Sequence, residues 1–193
     1  MVDFSKLDLN DPEVQKLIAI IQKDDTYNTR LKEFLDQAYD WQKEAVMRTA
    51  ISKVTGVICG NQMGKSEIAC AIAACHLTGY YPDWWEGKKY DRPVNLWIAG
   101  PDGRHNRDVL QKRLFGTDNK KLNKELGTGM IPRESINMDS VVSVRSNDIE
   151  SVKIKHKSGG ESSLSFRAYT QIEPNTPNTL MLYLYRLNIV RSH

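Results

Sequence analysis

A strand–loop–helix segment near the middle of the chain limits the available folds more than any other part. Residues Val54–Gly60 (VTGVICG) are short, apolar and β-branched, which predicts a buried parallel strand. Residues Ser66–Leu77 (SEIACAIAACHL) are small and apolar on most faces, which predicts a helix packed against that strand. Strand and helix in this order indicate an α/β fold with right-handed crossovers.

The connecting loop GNQMGKS (60–66) has the context that a phosphate-binding loop requires. Successive backbone N–H groups at a helix N-terminus form a concave anion site, which the helix dipole strengthens. Gly64 lets the backbone approach a phosphate closely, Lys65 would reach the β- and γ-phosphates, and the Ser66 hydroxyl would bind Mg²⁺. Compared with GxxxxGK[ST], the early glycine is displaced by one position, to Gly60.

Composition limits the class of protein without naming it. The 193 residues are 40% hydrophobic and 26% charged, which suits one folded domain and excludes a disordered or low-complexity chain. A formal charge of +3 permits contact with nucleic acid but does not argue for it. We see no apolar run of about 18–20 residues and no secretory signal, so we expect a cytoplasmic protein without a membrane span.

Outside the central segment, the patterns predict further elements. Amphipathic helices are expected at 12–21, 29–38 and 41–52, a strand at 94–99, a helix at 107–114, a polar excursion at 116–140, and a hairpin of strands 151–157 and 163–168. Asp40 is expected to cap the third helix. The hairpin lysines (Lys153, Lys155 and Lys157) form either a solvated face, which we favour, or a phosphate-contacting stripe.

Trp41 and Gln42 stand at the start of the third predicted helix. Gln42 precedes Lys65 by 65 − 42 = 23 residues. In several P-loop motor families, a glutamine at about this distance reads the adenine edge, because a carboxamide offers a donor and an acceptor side by side. The alternative for Gln42 is an ordinary exposed helix residue, and Trp41 either packs against the base or anchors the helix.

With these residues in place, the chain resembles the ATPase domain of the large terminase subunit of tailed bacteriophages. The resemblance spans roughly 39–171 and includes an aromatic run that is far more specific than the loop alone. Its motifs are YDWQ (39–42), CGNQMGKS (59–66), HLTGYYPDWWEG (76–87), RP (92–93), LWIAG (96–100), GMIP (129–132) and LSFRAY (164–169). For the aromatic residues Tyr80, Tyr81, Trp84 and Trp85 we favour a packed cover over ligand contact.

The resemblance implies a P-loop NTPase of the ASCE type, with a mainly parallel sheet flanked by helices and an added β-hairpin. It implies ATP and Mg²⁺ as cofactors and a motor that moves double-stranded DNA into a prohead. Its partners would be the portal protein, the small terminase subunit and further copies in a ring, in the host cytoplasm. The implied ATP-binding residues are Trp41, Gln42, Gly60, Asn61, Gln62, Met63, Gly64, Lys65 and Ser66, with Lys65 catalytic and Ser66 on Mg²⁺.

Three departures from the family pattern matter. The loop carries no arginine, no apolar run ending in Asp-Glu (Walker B) follows Gln171, and there is no nuclease domain. We therefore divide the chain into a helical segment (1–38), a partial ATPase domain (39–171) and an atypical tail (172–193), as in a truncation or frameshift. The expected result is ATP binding with little turnover. The alternatives are a non-catalytic interaction module and a generic helicase-like ATPase.

Overall fold

The computed structural model describes residues 12–15, 29–60, 62–116, 126–145, 148–171 and 179–183. Helices pack on a five-stranded sheet in an α/β arrangement, which confirms the predicted fold class at that level. No helix among these residues has the length and apolar character that a membrane crossing would need.

Besides the helical residues 12–15, four helices lie within the described part of the chain. They are α1 (Thr29–Asp36), α2 (Asp40–Arg48), α3 (Lys65–Thr78) and α4, which runs without a break through Gly103–His105, a π-helical turn at Asn106–Gln111, and Lys112–Phe115. These bounds confirm most of the predicted helices. Of the first predicted helix, residues 12–15 are helical, and the rest lies outside the described residues.

The cap of α2 differs from the prediction. Tyr39, with extended backbone (φ −65°, ψ 154°), is the N-cap, whereas Asp40 is already the first helical residue. The Tyr39 N–H donates to Oε1 of Gln42, the third residue of the helix, at 2.9 Å, so the Gln42 side chain satisfies a backbone donor at the start of α2.

Within the described residues, the sheet contains five strands in the order β2-β3-β4-β1-β5. Their bounds are β1 Asn95–Gly100, β2 Ile136–Arg145, β3 Asp148–Lys155, β4 Glu161–Ala168 and β5 Thr179–Tyr183. Strand β1 pairs in parallel with β4 and β5, while β2–β3 and β3–β4 are antiparallel. The predicted hairpin is thus confirmed, but the sheet is mixed, and the prediction of a mainly parallel sheet is wrong.

The predicted strand at Val54–Gly60 is also wrong. Residues 55–60 have no regular secondary structure, and the side chains of Val54 and Ile58 are 88% and 84% exposed. Both edges of β1 are already paired, with β4 and β5, so this segment has no place beside the central strand. An apolar β-branched run forms a strand only where a neighbouring strand can satisfy its backbone groups.

The predicted excursion at 116–140 contains part of a strand. Strand β2 begins at Ile136, after a 3₁₀ turn at Arg133–Ser135, and residues 117–125 lie outside the described residues. The polar residues Asn137, Asp139 and Ser140 interrupt the apolar alternation by which a strand is predicted from sequence. They are tolerated because β2 lies at an end of the strand order and, among the described strands, pairs with β3 alone.

Helix α3 lies at the centre of the core. All but a few of its residues are buried, including Cys70 and Cys75, and the helix contacts α1, α4, β3 and β4. It ends at Gly79, whose positive φ (78°) lets the chain turn directly against His156 of the β3–β4 connection. The Lys157 N–H then donates to Thr78 O at 2.8 Å, so the hairpin closes over the end of α3.

The aromatic segment after α3 forms a packed cluster. Trp85 is buried, and its ring lies 5.2 Å from Tyr81 and 6.0 Å from Trp84, between centroids. The Trp85 indole N–H donates to Lys88 O at 3.1 Å. This arrangement fits the predicted structural role of these residues.

Candidate functional site

The loop before α3 contains two residues with left-handed backbone conformation. Gln62 has a positive φ of 61°, which is rare outside glycine, and Gly64 follows with φ 84°. Two left-handed residues so close together turn the chain sharply, and backbone amides that converge in such turns bind anions. The loop leads into the 14-residue helix α3, whose first N–H groups have no partner within the helix.

Lys65 is folded back into this loop. Its Nζ donates to the carbonyl oxygen of Cys59 at 2.9 Å and to that of Gly60. The ammonium group therefore lies on the inner side of the turn, where oxygen acceptors already surround it. Phosphate oxygens could replace these carbonyl oxygens as partners, because they accept the same donors and carry charge.

Gln42 lies against the loop, although the two are far apart in sequence. It is only 1% exposed, which excludes the alternative of an exposed helix residue. Its Nε2 lies 3.4 Å from Gly64 O, and its Oε1 accepts the Tyr39 N–H. Gln42 therefore contacts the loop at Gly64, and its part in a nucleotide site stays a prediction.

The other predicted site residues surround this contact. Trp41 is half-buried and packs against the core, which fits a helix anchor, and its indole N–H is buried with no hydrogen-bond partner among the described residues. Ser66 is half-buried in the first turn of α3, and Met63 is 47% exposed. Asn61 lies outside the described residues.

An ion pair beside the loop escaped the sequence analysis. Glu67, in the first turn of α3, lies 2.6 Å from Nε of Arg113 on α4, and both side chains are about one-third exposed. Arg113 also donates through Nη1 to Val109 O at 2.8 Å. No local pattern links these residues, because the pair depends on how α4 folds back onto α3.

The π-helical part of α4 is tied to the sheet by two buried amides. Gln111 accepts the Ile149 N–H at 3.1 Å and donates to Ile149 O at 2.8 Å. Asn106 donates to Arg167 O at 2.9 Å. The ion pair at Glu67 therefore connects the start of α3 to an element that is fixed on β3 and β4.

In the first turn of α3, Glu67 is paired with Arg113, and Lys65 is the other charged side chain of that turn. Burial raises the pKa of Cys70 to about 12, and it also raises the pKa of Cys75. Both thiols are therefore neutral at physiological pH, as expected of packing residues.

The hairpin lysines fit the solvated face that we favoured. All three are exposed, and Lys153 Nζ lies 3.7 Å from a carboxylate oxygen of Glu161. Lys157 Nζ lies 5.5 Å from the centroid of the Tyr80 ring.

The fold and the site together define an α/β chain with a phosphate-loop sequence at the N-terminus of a buried helix. Comparison with known proteins finds a distant relative, the large terminase subunit of Salmonella phage P22. The two are 29% identical over 191 residues, an alignment that covers 84% of this chain and 36% of the phage protein. The chain thus spans about a third of the length of that relative.

No protein-family model matches the chain. No solved structure matches it either. The similarity to the P22 protein supports the relationship to terminases that the motifs indicate.

Proposed function

We propose that this chain binds ATP with Mg²⁺ at the loop 60–66 and forms the nucleotide-binding part of a viral DNA-packaging motor. The observation that supports ATP binding most is the position of Lys65, whose ammonium group lies inside the turn that leads into α3. The similarity to the P22 large terminase subunit supports the motor role.

In this proposal, each residue of the loop has a distinct task. Backbone N–H groups from Gly64 onward bind phosphate oxygens, and Lys65 exchanges its carbonyl partners for the β- and γ-phosphates. The Ser66 hydroxyl is a hard oxygen donor of the kind that Mg²⁺ prefers, so this residue would hold the ion. When bound, Mg²⁺ would neutralise phosphate charge.

The motor role brings further proposed partners. Double-stranded DNA, a portal protein, a small terminase subunit and other copies in a ring would act with this chain in the host cytoplasm, as the resemblance implies. We expect little or no turnover by this chain alone, because the sequence after Gln171 offers no Asp-Glu pair to hold the metal and polarise water.

A titration with fluorescent ATP in the presence of Mg²⁺ tests the proposal. Lys65→Ala should weaken binding by roughly tenfold or more, because it removes a charge-assisted contact to two phosphates. Lys32→Ala is a matched control, since Lys32 is an exposed lysine on α1, away from the loop.

Circular dichroism of each variant separates loss of binding from loss of fold. Saturable binding by the wild type that Lys65→Ala alone reduces would support the proposal. A folded wild-type chain that binds no ATP, or that binds equally well without Lys65, would contradict it and favour a non-catalytic interaction module.

A further inference from the structure

The side-chain oxygen and nitrogen of Gln42 each contact a backbone group. Its Oε1 accepts the N–H of Tyr39 at 2.9 Å, and its Nε2 lies 3.4 Å from the carbonyl oxygen of Gly64. The residue is 1% exposed, so water does not compete for either group. A buried carboxamide with both ends engaged is fixed in position.

The orientation of this carboxamide follows from its partners. A backbone N–H can only donate, so the atom that faces Tyr39 must be the oxygen, and the amino group must face Gly64. The Gly64 oxygen also accepts the first hydrogen bond of α3, from the Ile68 N–H at 3.0 Å. Gln42 therefore contacts the carbonyl group at which the loop becomes a helix.

The approach of Gln42 to Gly64 is close. A Cβ atom added to Gly64 would lie 2.9 Å from Nε2 of Gln42, and Gly64 itself has φ 84°. Glycine is thus needed at this position for its backbone conformation and for the space that Gln42 occupies.

Helix α2 holds Gln42 rigidly. Its neighbours Ala45 and Val46 are buried in the core. At the end of the helix, the Thr49 hydroxyl donates to Val46 O at 2.6 Å and accepts the N–H of Lys88 from the aromatic segment at 3.0 Å. A side chain on such an anchored helix can fix the position of the loop that it touches.

We infer that Gln42 is a positioning residue for the phosphate loop, holding Gly64 so that the first N–H groups of α3 face the phosphates, and that it does not read the nucleotide base. The inference rests on the proposed function, because it concerns the same nucleotide site. Contact with an adenine edge would require this side chain, which is 1% exposed, to be uncovered. A positioning role requires no such movement, and it acts on the phosphates, which all nucleotides share.

Calorimetric titration of ATP, GTP and inorganic tripolyphosphate, each with Mg²⁺, tests this inference. The variant is Gln42→Met, which keeps the volume of the side chain and removes both hydrogen-bonding groups. We expect all three affinities to fall by a similar factor of roughly three to ten, with the ratio of ATP to GTP affinity unchanged. Gln37→Met, at an exposed position just after α1, is the control and should change nothing.

Other outcomes are equally decisive. A loss confined to ATP, with tripolyphosphate binding unchanged, would overturn the inference and assign Gln42 to the base. Thermal unfolding of Gln42→Met and of a second variant, Gln42→Ala, identifies which of them is folded at the titration temperature, and the affinities are compared for that one. If the folded wild type binds none of the three ligands, the proposed function fails and this inference falls with it.

Discussion

His76 is a buried histidine whose surroundings change its protonation. It is 3% exposed, and its ring centroid lies 4.9 Å from that of Tyr90 and 5.9 Å from that of Trp85. The Tyr81 hydroxyl accepts the Tyr90 N–H and lies 3.1 Å from Nδ1 of His76, to which it can donate its proton. Burial lowers the pKa of His76 to about 4, so the ring is neutral at physiological pH.

This shift predicts a dependence of stability on pH. The unfolded chain protonates His76 near pH 6.5, whereas the folded chain does so near 4, so acid favours the unfolded state between those values. The contribution is fully present above about pH 6.5 and decreases by up to about 1.4 kcal/mol per pH unit as the pH falls towards 4. Urea unfolding at several pH values, for the wild type and for His76→Gln, measures it.

The contribution of His76 to the pH dependence of stability must be separated from that of His156. Burial also lowers the pKa of His156, which adds to the slope in the same direction. His156→Gln should therefore retain the part of the slope that belongs to His76, and His76→Gln should lose it. An unchanged slope in His76→Gln would show that this ring does not titrate differently in the folded and unfolded states.

At the level of elements, the sequence predicted local structure well and pairing poorly. The hairpin β3–β4 was predictable because alternation and a Ser-Gly-Gly-Glu turn are local signals, and its pairing follows from them. The strand predicted at Val54–Gly60 failed because its formation depends on a partner that no local pattern reveals. Strand β2 was missed for the converse reason, since its pairing with β3 compensates for polar residues at its start.

At the candidate site, too, local features were predictable and tertiary contacts were not. Loop and helix were predictable from GNQMGKS and the small residues behind it, and the spacing of Gln42 from Lys65 brought α2 to the same place. The ion pair of Glu67 with Arg113 was not predictable, because it depends on the packing of α4 against α3. Local sequence signals thus predicted the loop and its helix, whereas contacts that depend on tertiary packing were missed.

The link between α3 and α4 predicts a measurable coupling. Removing Arg113 would leave Glu67 as an uncompensated carboxylate in the first turn of α3 and would free the Val109 carbonyl oxygen. A double-mutant cycle with Glu67→Gln and Arg113→Met, followed by urea unfolding, should give about 1 kcal/mol of coupling for this half-buried pair.

An exposed pair in the same chain is a matched control. Arg48 and Glu44 on α2 lie 2.6 Å apart, with side chains 62% and 55% exposed. The same cycle there, with Glu44→Gln and Arg48→Met, should give about 0.3–0.5 kcal/mol, because water screens the charges. Equal coupling in the two cycles would mean that burial adds nothing to the link between α3 and α4.

At the scale of the whole molecule, part of the C-terminal tail belongs to the central sheet. Within the stretch 172–193, for which the sequence predicted an atypical tail, residues Thr179–Tyr183 form β5 and pair in parallel with β1 over its residues Asn95–Ala99. Strand β1 is thereby enclosed by β4 and β5, and its side chains Leu96 and Ile98 are fully buried. An apolar run recruited to a sheet in this way removes an exposed edge from the central strand.

This arrangement predicts that deleting residues 172–193 destabilises the entire chain. The backbone hydrogen bonds between β1 and β5 would be lost, and the exposed edge of β1 would increase aggregation. We expect a loss of a few kcal/mol, seen as a fall of roughly 5–10 °C in Tm by calorimetry, with increased binding of a hydrophobic dye. A second deletion, of residues 184–193 alone, keeps β5 and should cost much less. If the two deletions lower Tm equally, the pairing of β5 with β1 is not what stabilises the sheet, and if neither does, the sheet is stable without its fifth strand.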